Sequence, residues 1–384
     1  MAARRAPEGR SVRPLELFYD LVFVVVVQQL ARRLEGGADA LAYVAVAALA
    51  VLVWMCWLNQ TFLMNMAPAR SGAEVVLTLA SMAGVGVVAI SLAPSQPWTP
   101  GLFALGYAVA RVALWPLWRR VAASRPAGAW RETWATPTLF GPGLAVGWLA
   151  SVLLPPPAVY VAWAVLVGVE TVLLVQGLPR YAYRGDHLTE RAELFVLVLL
   201  GDSIIELFLS VTVASPPAAW WVAAVAFVAT CAVWALYFDL GARVPALRRD
   251  PSRTTGGFVR DVVVGAHLLL LVGLVLVAVG FRSAIEAAEV RPSGTATAAC
   301  LGAGFVLVLL AQGATALRAR YAPRWVAVWV LPGAVVAAGA GVAGASWPTA
   351  AVPVVCLGAV LGALATGYAL VGRGLLVVAR TPAA

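Results

Sequence analysis

Twelve stretches of about 20 mostly apolar residues follow one another along this chain of 384 residues. An α-helix of that length crosses the hydrocarbon core of a bilayer, which is about 30 Å thick. Hydrophobic residues make up 62% of the chain and charged residues 12%, a balance that excludes a soluble globular domain. The pattern predicts an all-α polytopic membrane protein of about 12 transmembrane helices. These lie at residues 15–33, 40–63, 74–93, 101–119, 138–154, 158–177, 192–212, 219–239, 261–281, 296–316, 325–345 and 351–372.

Arginine is unevenly distributed over the segments that connect these helices. With the N-terminus placed inside, 22 of the 27 basic residues fall on the inner side and 4 on the outer side, while Arg111 lies within a helix. Short cytoplasmic loops carry such an excess of positive charge. We therefore expect a multi-pass membrane protein with both termini in the cytoplasm. The lipid bilayer is the expected partner, and the charge pattern does not resemble a nucleic-acid-binding surface.

An internal repeat organises the chain, because the phrase Glu-Leu-Phe opens two helices, at Glu16 and at Glu193. With the two phrases superposed and a shift of three residues in the loops, Trp54, Trp57 and Asn59 come near Trp234, Tyr237 and Asp239. A further loop insertion brings Glu74 opposite Asp261. Six helices separate the members of each pair, so equivalent helices point the same way through the membrane. This is the signature of a parallel repeat, as in one class of transporters.

The repeat predicts five segments in the chain. These are a cytoplasmic N-terminal segment at 1–14, a first six-helix repeat at 15–177, a cytoplasmic linker at 178–191, a second six-helix repeat at 192–372 and a cytoplasmic tail at 373–384.

Acidic residues inside the apolar segments are the main functional signal. A carboxylate at the centre of a bilayer costs roughly 2.5–3.5 kcal/mol on insertion scales, so such residues face a bundle interior or a water-filled path. Glu16 and Asp20 are four residues apart and share one face of their helix. Together with other polar residues they predict a substrate or ion pathway. The residues assigned to it are Glu16, Asp20, Asn59, Arg111, Glu190, Arg191, Glu193, Asp202, Glu206, Asp239 and His267.

Two functions from different classes fit this pattern. The first is a transporter or channel for a small solute or cation, in which the intramembrane carboxylates bind the cation or relay protons. The alternative is a non-transporting membrane scaffold or stress-response protein, in which the same acids form structural ion pairs with arginines. The two differ in whether Asp20 and Asp202 line a wetted cavity or point into dry contacts paired with arginine.

Enzymatic functions and cofactors are not expected. The sequence has no HExxH, GxSxG or GxxxxGK[ST] motif. The Tyr-Asp phrase of an aspartyl intramembrane protease is present at Tyr19 and Asp20, but Gly201-Asp202 lacks the preceding Gly-x of the second phrase, GxGD. The four cysteines lie in apolar runs without CxxC spacing, so neither a metal site nor a disulfide framework is predicted.

Glycines near the C-terminus favour close helix packing. Gly358 and Gly362 form a GxxxG spacing, which lets two helices approach closely. We expect this contact either within the chain or in a homo-oligomer.

Four phrases together carry a resemblance to a known family. They are RPLELFYDLVFV, GYAVARVALWPLWRR, HLTERAELFVLVLLGDSI, and WALYFD followed by His267. In this order they resemble the low temperature requirement protein A (LtrA) family of bacterial membrane proteins, from about residue 13 to residue 282. Tyr19 stands where the family usually has Phe, and Asp202 where it usually has Glu; both changes keep the chemical type. The resemblance implies an integral protein of the inner membrane.

Overall fold

A computed structural model describes residues 12–34, 40–95, 98–123, 139–177, 183–243, 256–289 and 292–376. Over these residues the chain is all-helical and contains no strand. The main helices are α1 (Pro14–Arg32), α2 (Ala40–Met66), α3 (Gly72–Leu92), α4 (Pro100–Ala123), α5 (Leu144–Ser151), α6 (Ala158–Gly177), α7 (Gly185–Leu209), α8 (Pro217–Trp234), α9 (His267–Glu286), α10 (Thr295–Arg318), α11 (Pro323–Ala343) and α12 (Ala351–Gly372).

Three helices are extended by π-helical stretches, in which the backbone winds more widely than in an α-helix. Leu139–Gly143 precedes α5, Ala235–Asp239 follows α8, and Val259–Ala266 precedes α9. Short α-helical pieces continue the last two, Leu240–Arg243 after α8 and Gly256–Phe258 ahead of α9.

Ten helices within the described ranges are long and apolar enough to cross a membrane. The sequence prediction of an all-α, multi-pass membrane protein is confirmed, whereas the number of twelve spans stays a prediction. The predicted helix at 138–154 is not among the ten because it is split between a π-helical stretch and the eight-residue α5. The predicted helix at 192–212 lies in α7, where Glu193, Asp202 and Glu206 interrupt the apolar run.

Local signals in the sequence fix where helices begin. Pro14 opens α1, where its missing N–H leaves no donor unsatisfied. Ser71 caps α3 by accepting a hydrogen bond from the main-chain N–H of Glu74, and the Glu74 carboxylate accepts one from the main-chain N–H of Ser71. This reciprocal capping box satisfies two N–H groups that have no partner within the helix.

The chain divides into two compact units. The first contains α1, α3 to α6, most of α2, and α7 as far as Leu194. The second contains the start of α2 as far as Ala47, α7 from Phe195 onward, α8, and α9 to α12. The change of unit at Phe195 falls close to the predicted start of the second repeat at residue 192, although the repeat itself stays a prediction.

Each unit contains a helix pair in which glycines allow close backbone approach. In the first unit, a Cβ atom on Gly84 of α3 would lie 2.5 Å from the main-chain nitrogen of Ala110 in α4. In the second, a Cβ atom on Gly273 of α9 would lie 2.9 Å from the carbonyl oxygen of Gly304 in α10. Neither position can carry a side chain without moving the neighbouring helix.

The GxxxG spacing of α12 does not make such a contact. Gly358 and Gly362 are exposed, and no atom of the described residues lies within 4 Å of a Cβ built on either one. The expectation of close packing within the chain is therefore wrong for these glycines. Contact with a second copy of the chain stays a prediction.

Candidate functional site

Two helices of the first unit bring four ionisable residues together in matching pairs. Glu16 and Asp20 lie one turn apart on α1, and His187 and Arg191 lie one turn apart on α7. His187 Nε2 is 3.0 Å from Glu16 Oε2, and Arg191 Nη2 is 2.8 Å from Asp20 Oδ1. The first residue of one pair, Glu16, thus contacts the first of the other, His187, and the second residues, Asp20 and Arg191, contact each other. Helix α1 and the start of α7 therefore run in the same direction.

Helix α2 supplies the uncharged polar groups around this ion pair. The indole N–H of Trp57 donates to Asp20 Oδ1 at 2.8 Å. Arg191 Nη2 donates to the Gln60 side-chain oxygen at 2.9 Å and approaches the Thr61 hydroxyl at 3.4 Å. We call Glu16, Asp20, Trp57, Gln60, His187 and Arg191 the Arg191 cluster. All six side chains are buried, and Asp20 and Arg191 are 0% exposed.

A second residue of α2 determines how His187 is held. The Asn65 side-chain oxygen accepts a hydrogen bond from the main-chain N–H of Arg184, and its amide nitrogen donates to the carbonyl oxygen of Arg184, each at 3.0 Å. The same amide nitrogen lies 3.2 Å from His187 Nδ1. The main chain thus fixes the orientation of the Asn65 amide, which places an N–H donor opposite His187 Nδ1.

Several polar atoms of the Arg191 cluster remain unsatisfied. Five buried atoms on four side chains have no hydrogen-bond partner among the described residues. They are Glu16 Oε2, Asp20 Oδ2, Gln60 Nε2, and Arg191 Nε and Nη1. His187 Nε2 is near Glu16 Oε2 but is not aligned for a hydrogen bond. Most buried polar groups in proteins are hydrogen-bonded, so five such atoms in one cluster require an explanation.

A second buried ion pair in the first unit is fully satisfied at its carboxylate. Arg111 of α4 pairs with Oε2 of Glu170 in α6. The Tyr107 hydroxyl donates to the same oxygen at 2.6 Å, and the Trp148 indole N–H donates to Oε1 at 3.1 Å. Arg111 is thus placed with Glu170 and outside the Arg191 cluster. We call Tyr107, Arg111, Trp148 and Glu170 the Glu170 cluster.

In the second unit, two predicted site residues lie beside the π-helical stretches. His267 Nδ1 is 2.8 Å from the carbonyl oxygen of Val262, and its Nε2 is 2.9 Å from the Tyr237 hydroxyl. A carbonyl oxygen only accepts, so Nδ1 carries the proton and the hydroxyl donates to Nε2 in the neutral ring. The Tyr368 hydroxyl donates to the Asp239 carboxylate. Isolated π-helical turns occur frequently at functional sites.

The other predicted site residues lie away from the Arg191 cluster or at its margin. Asn59 accepts a hydrogen bond from the Trp118 indole N–H at 2.8 Å, and Glu190 Oε1 lies 3.5 Å from the main-chain nitrogen of Val12. Glu206 pairs with Arg282 at 3.0 Å in the second unit. Glu193 and Asp202 are partly buried. Asp20 and Asp202, which were predicted to line one path, belong to different units.

Sequence reasoning missed several members of these clusters. Trp57, Gln60 and His187 were not assigned to the pathway, and neither was Glu170, the partner of Arg111. One signal was available for His187, because it precedes Arg191 by four residues just as Glu16 precedes Asp20. An acidic pair on one helix and a basic pair on another can contact each other when the residues of both pairs are four positions apart.

The arrangement bears on metal binding as well. The described residues contain no group of three or more His, Cys, Asp or Glu side chains placed to hold a metal ion. The guanidinium group of Arg191 lies within 3.6 Å of both carboxylates. The contacts described for the Arg191 cluster are therefore ionic and hydrogen-bonded.

The ten apolar helices define a multi-pass membrane protein, and its first unit contains two clusters of buried ionic side chains. The chain belongs to the bacterial low temperature requirement A protein (LtrA) family, whose model matches residues 11–365. The resemblance seen in the four sequence phrases is thus confirmed, and the match extends beyond residue 282 through most of α12.

A relative with a similar sequence occurs in Rhizobium meliloti (strain 1021). This uncharacterized protein is 27% identical over 283 residues, which cover 69% of this chain and 67% of the relative. The similarity therefore extends over most of both proteins.

Proposed function

We propose that this protein is a transporter or channel for a small solute or cation, and that the Arg191 cluster is part of its path. One observation carries the proposal: five buried polar atoms of the cluster have no hydrogen-bond partner among the described residues. They include both acceptors, on Glu16 and Asp20, and donors, on Gln60 and Arg191. A site with this composition can bind an ion, a proton or a small polar solute.

The comparison with the Glu170 cluster supports this interpretation. Burying a carboxylate and a guanidinium costs several kcal/mol per ion, and good geometry with additional hydrogen bonds is needed to offset that cost. Glu170 meets this requirement, because both of its oxygens accept hydrogen bonds. Glu16 and Asp20 do not, since each keeps one oxygen without a hydrogen bond. The two buried ion pairs thus differ at their carboxylates, and the oxygens of Glu16 and Asp20 that lack a hydrogen bond are the acceptors that a bound ion or solute would use.

The position of the Arg191 cluster fits an entrance from the aqueous phase. Glu16 lies in the first turn of α1, and His187 lies in the first turn of α7. Arg184 and Asp186, beside His187 in the sequence, are exposed. One helical turn is about 5.4 Å long, so Asp20 lies about one turn deeper than Glu16. With the predicted orientation, in the cytoplasmic membrane with both termini inside, this entrance opens to the cytoplasm.

Corresponding contacts in the two units support the predicted parallel repeat, on which many transporters are built. Glu74 at the start of α3 pairs with Arg120 near the end of α4. Asp261, aligned with Glu74 by sequence, pairs with Arg318 at the end of α10.

The glycine contacts correspond in the same way. Cβ atoms on Gly84 and Gly106 would approach the main-chain nitrogens of Ala110 and Val88. Cβ atoms on Gly273 and Gly304 would approach those of Val308 and Val277. Each contacted residue lies four positions after a glycine of the same pair, so the two helix pairs share one packing geometry.

Flux through reconstituted liposomes tests the proposal. The purified protein is placed in liposomes, and movement of protons, sodium and potassium is measured for the wild type and for Asp20→Asn. Asp186→Asn is the matched control, because it makes the same chemical change at an exposed position of the same unit. We expect flux in the wild type and the control and its loss in Asp20→Asn, with equal amounts of folded protein confirmed by gel filtration.

Two results would reject this function. Equal flux in wild type and Asp20→Asn would exclude Asp20 from the path. Absence of flux in a well-folded wild type under gradients of all three ions and of a panel of small polar solutes would favour the scaffold alternative, in which the acids serve only stability.

A further inference from the structure

We infer that the ion that loads the Arg191 cluster is a proton, and that the carboxyl pair Glu16 and Asp20 holds it. This inference rests on the proposed function and specifies its ion. It follows from the charge of the cluster, from the contact between Asn65 and His187, and from the kinds of atoms that face the carboxylates.

The charges of the Arg191 cluster do not balance. Glu16 and Asp20 contribute two negative charges, and Arg191 contributes one positive charge. If His187 is neutral, the sum is −1 in a place where all these side chains are at most 4% exposed. An uncompensated buried charge is costly, so the site favours a state with one additional positive charge.

Asn65 keeps that charge off His187. An imidazole becomes positively charged only when both of its nitrogens carry protons. The Asn65 amide nitrogen, held by two hydrogen bonds to the main chain of Arg184, presents a donor to His187 Nδ1. Nδ1 must therefore act as the acceptor, and the ring is neutral with its proton on Nε2, the nitrogen nearest Glu16. The additional positive charge has to be accommodated by the carboxyl groups.

The atoms around the carboxylates disfavour a metal cation and accommodate a proton. Hard cations such as Ca²⁺ and Mg²⁺ require about six or more oxygen ligands. Here the Trp57 indole N–H lies 2.8 Å from Asp20, and the Arg191 guanidinium contacts Asp20 at 2.8 Å and Glu16 at 3.6 Å. These groups repel a cation or occupy the positions it would need. A proton needs only one carboxylate lone pair, and each of the two carboxylates keeps one oxygen without a hydrogen bond among the described residues.

Other charged groups near the entrance have assigned partners. Arg13, just before α1, donates to the carbonyl oxygen of Ala69 at 2.7 Å. Glu190 accepts from the main-chain N–H of Val12. Arg184 is exposed, and its main chain holds the Asn65 amide. Within the cluster, Glu16 and Asp20 each contact Arg191, and Glu16 also contacts His187.

The loading step is simple in chemical terms. A proton from water on the accessible side binds a carboxylate oxygen of the Glu16 and Asp20 pair, forming one O–H bond and changing the cluster charge from −1 to 0. Release returns the same proton to water. His187 keeps its proton on Nε2, beside Glu16, and does not itself pass the loading proton on.

Infrared difference spectroscopy between acidic and alkaline pH tests this inference on the full-length protein. Protonation of a buried carboxyl group produces a C=O stretch that carboxylates lack. We expect such a band in the wild type at acidic pH, carrying about one proton per chain, and its loss in the double variant Glu16→Gln/Asp20→Asn. The control Gln176→Glu adds one acid at an exposed position of α6 and should leave the band of the buried pair unchanged.

Asn65→Ser provides a second variant that neither alters the carboxyl pair nor adds a charge. A serine hydroxyl can accept a hydrogen bond from His187 Nδ1, so the imidazole could take a second proton and supply the missing charge itself. We expect the carboxyl band to shrink at a pH where it is full in the wild type. Retention of the full band in Asn65→Ser, or in the double variant, would overturn the inference.

Failure of this inference can be distinguished from failure of the proposed function. A carboxyl band that responds as expected, without any flux in liposomes, would leave the proton site intact and reject transport. Flux of a solute or of another cation without the band, and with no dependence on a pH gradient, would keep transport and reject the proton as the ion.

Discussion

The side chain of Asn65 makes two hydrogen bonds to the main chain of Arg184, one as acceptor and one as donor, both 3.0 Å long. Amide orientation is normally ambiguous, because oxygen and nitrogen have similar shapes. Here the main-chain N–H and carbonyl groups resolve it, since only one orientation satisfies both. The remaining N–H of the amide then determines which nitrogen of His187 carries the proton.

The two histidines of the chain are expected to adopt opposite neutral tautomers. His187 should carry its proton on Nε2, because Asn65 donates towards Nδ1. His267 should carry its proton on Nδ1, because that atom faces the Val262 carbonyl oxygen at 2.8 Å. Nitrogen NMR of protein labelled at histidine distinguishes the two forms, and with only two histidines each signal is assigned by one variant, His267→Asn. The same tautomer at both positions would contradict the structure.

Removing Arg191 should destabilise the protein strongly. The substitution Arg191→Met leaves two buried carboxylates without their counter-ion, and breaking a buried ion pair costs about 3–5 kcal/mol. Unfolding of the detergent-solubilised protein, followed with temperature, measures the loss. The double variant Asp20→Asn/Arg191→Met should lose less than the sum of the single variants, because its remaining charge is smaller. Additive effects would show that Asp20 and Arg191 do not interact.

The Glu170 cluster should contribute mainly to stability. Tyr107→Phe removes a hydrogen bond to a charged carboxylate, which is worth about 1.5–3 kcal/mol. Tyr160→Phe is a matched control, because its hydroxyl is part of a hydrogen bond with Trp98 at an exposed position; substitutions of that kind usually change stability by less than about 0.5 kcal/mol. In thermal unfolding, Tyr107→Phe should therefore have a clearly lower midpoint temperature than Tyr160→Phe. Similar stabilities would place the Tyr107 hydroxyl outside the ion-pair network.

Two neighbouring glycines of α3 should respond in opposite ways to the same substitution. Gly84→Ala places a methyl group 2.5 Å from the Ala110 nitrogen, and such overpacking costs about 1–3 kcal/mol. Gly86→Ala places its methyl group where nothing lies within 4 Å, and alanine favours the helix over glycine by up to about 1 kcal/mol. Unfolding of both variants in detergent is the measurement. Equal destabilisation at both positions would contradict the packing of α3 against α4.

Much of the fold was predictable because it follows from local composition. Apolar length located the helices, and the predicted boundaries agree with the structure within a few residues at α1, α6 and α12. The helix at 138–154 was harder, because Pro142 and the glycines beside it interrupt regular winding. Proline removes a backbone donor and disturbs the preceding turn, which shortens the α-helical part.

The partners within the site were less predictable, because they lie far apart in the sequence. The spacing of Glu16 and Asp20 placed both on one face of α1, as the structure has them. Nothing local identified Arg191, which is 171 residues from Asp20, as their shared counter-ion. Glu170 could not be assigned to Arg111, 59 residues away, for the same reason. Such pairings depend on which helices are neighbours, and helical periodicity does not determine that.

The π-helical stretch Val259–Ala266 bears on how the chain evolved. Gly84 follows Glu74 by ten residues, whereas Gly273 follows Asp261 by twelve, although each glycine makes the same close contact in its own unit. The π-helical stretch lies in the longer of these two intervals, between Asp261 and Gly273. If the two halves arose by gene duplication, this stretch marks an insertion that the second copy absorbed as a local change in helical winding. Deleting two residues there would restore the spacing of the first copy and remove the wide turn that precedes His267.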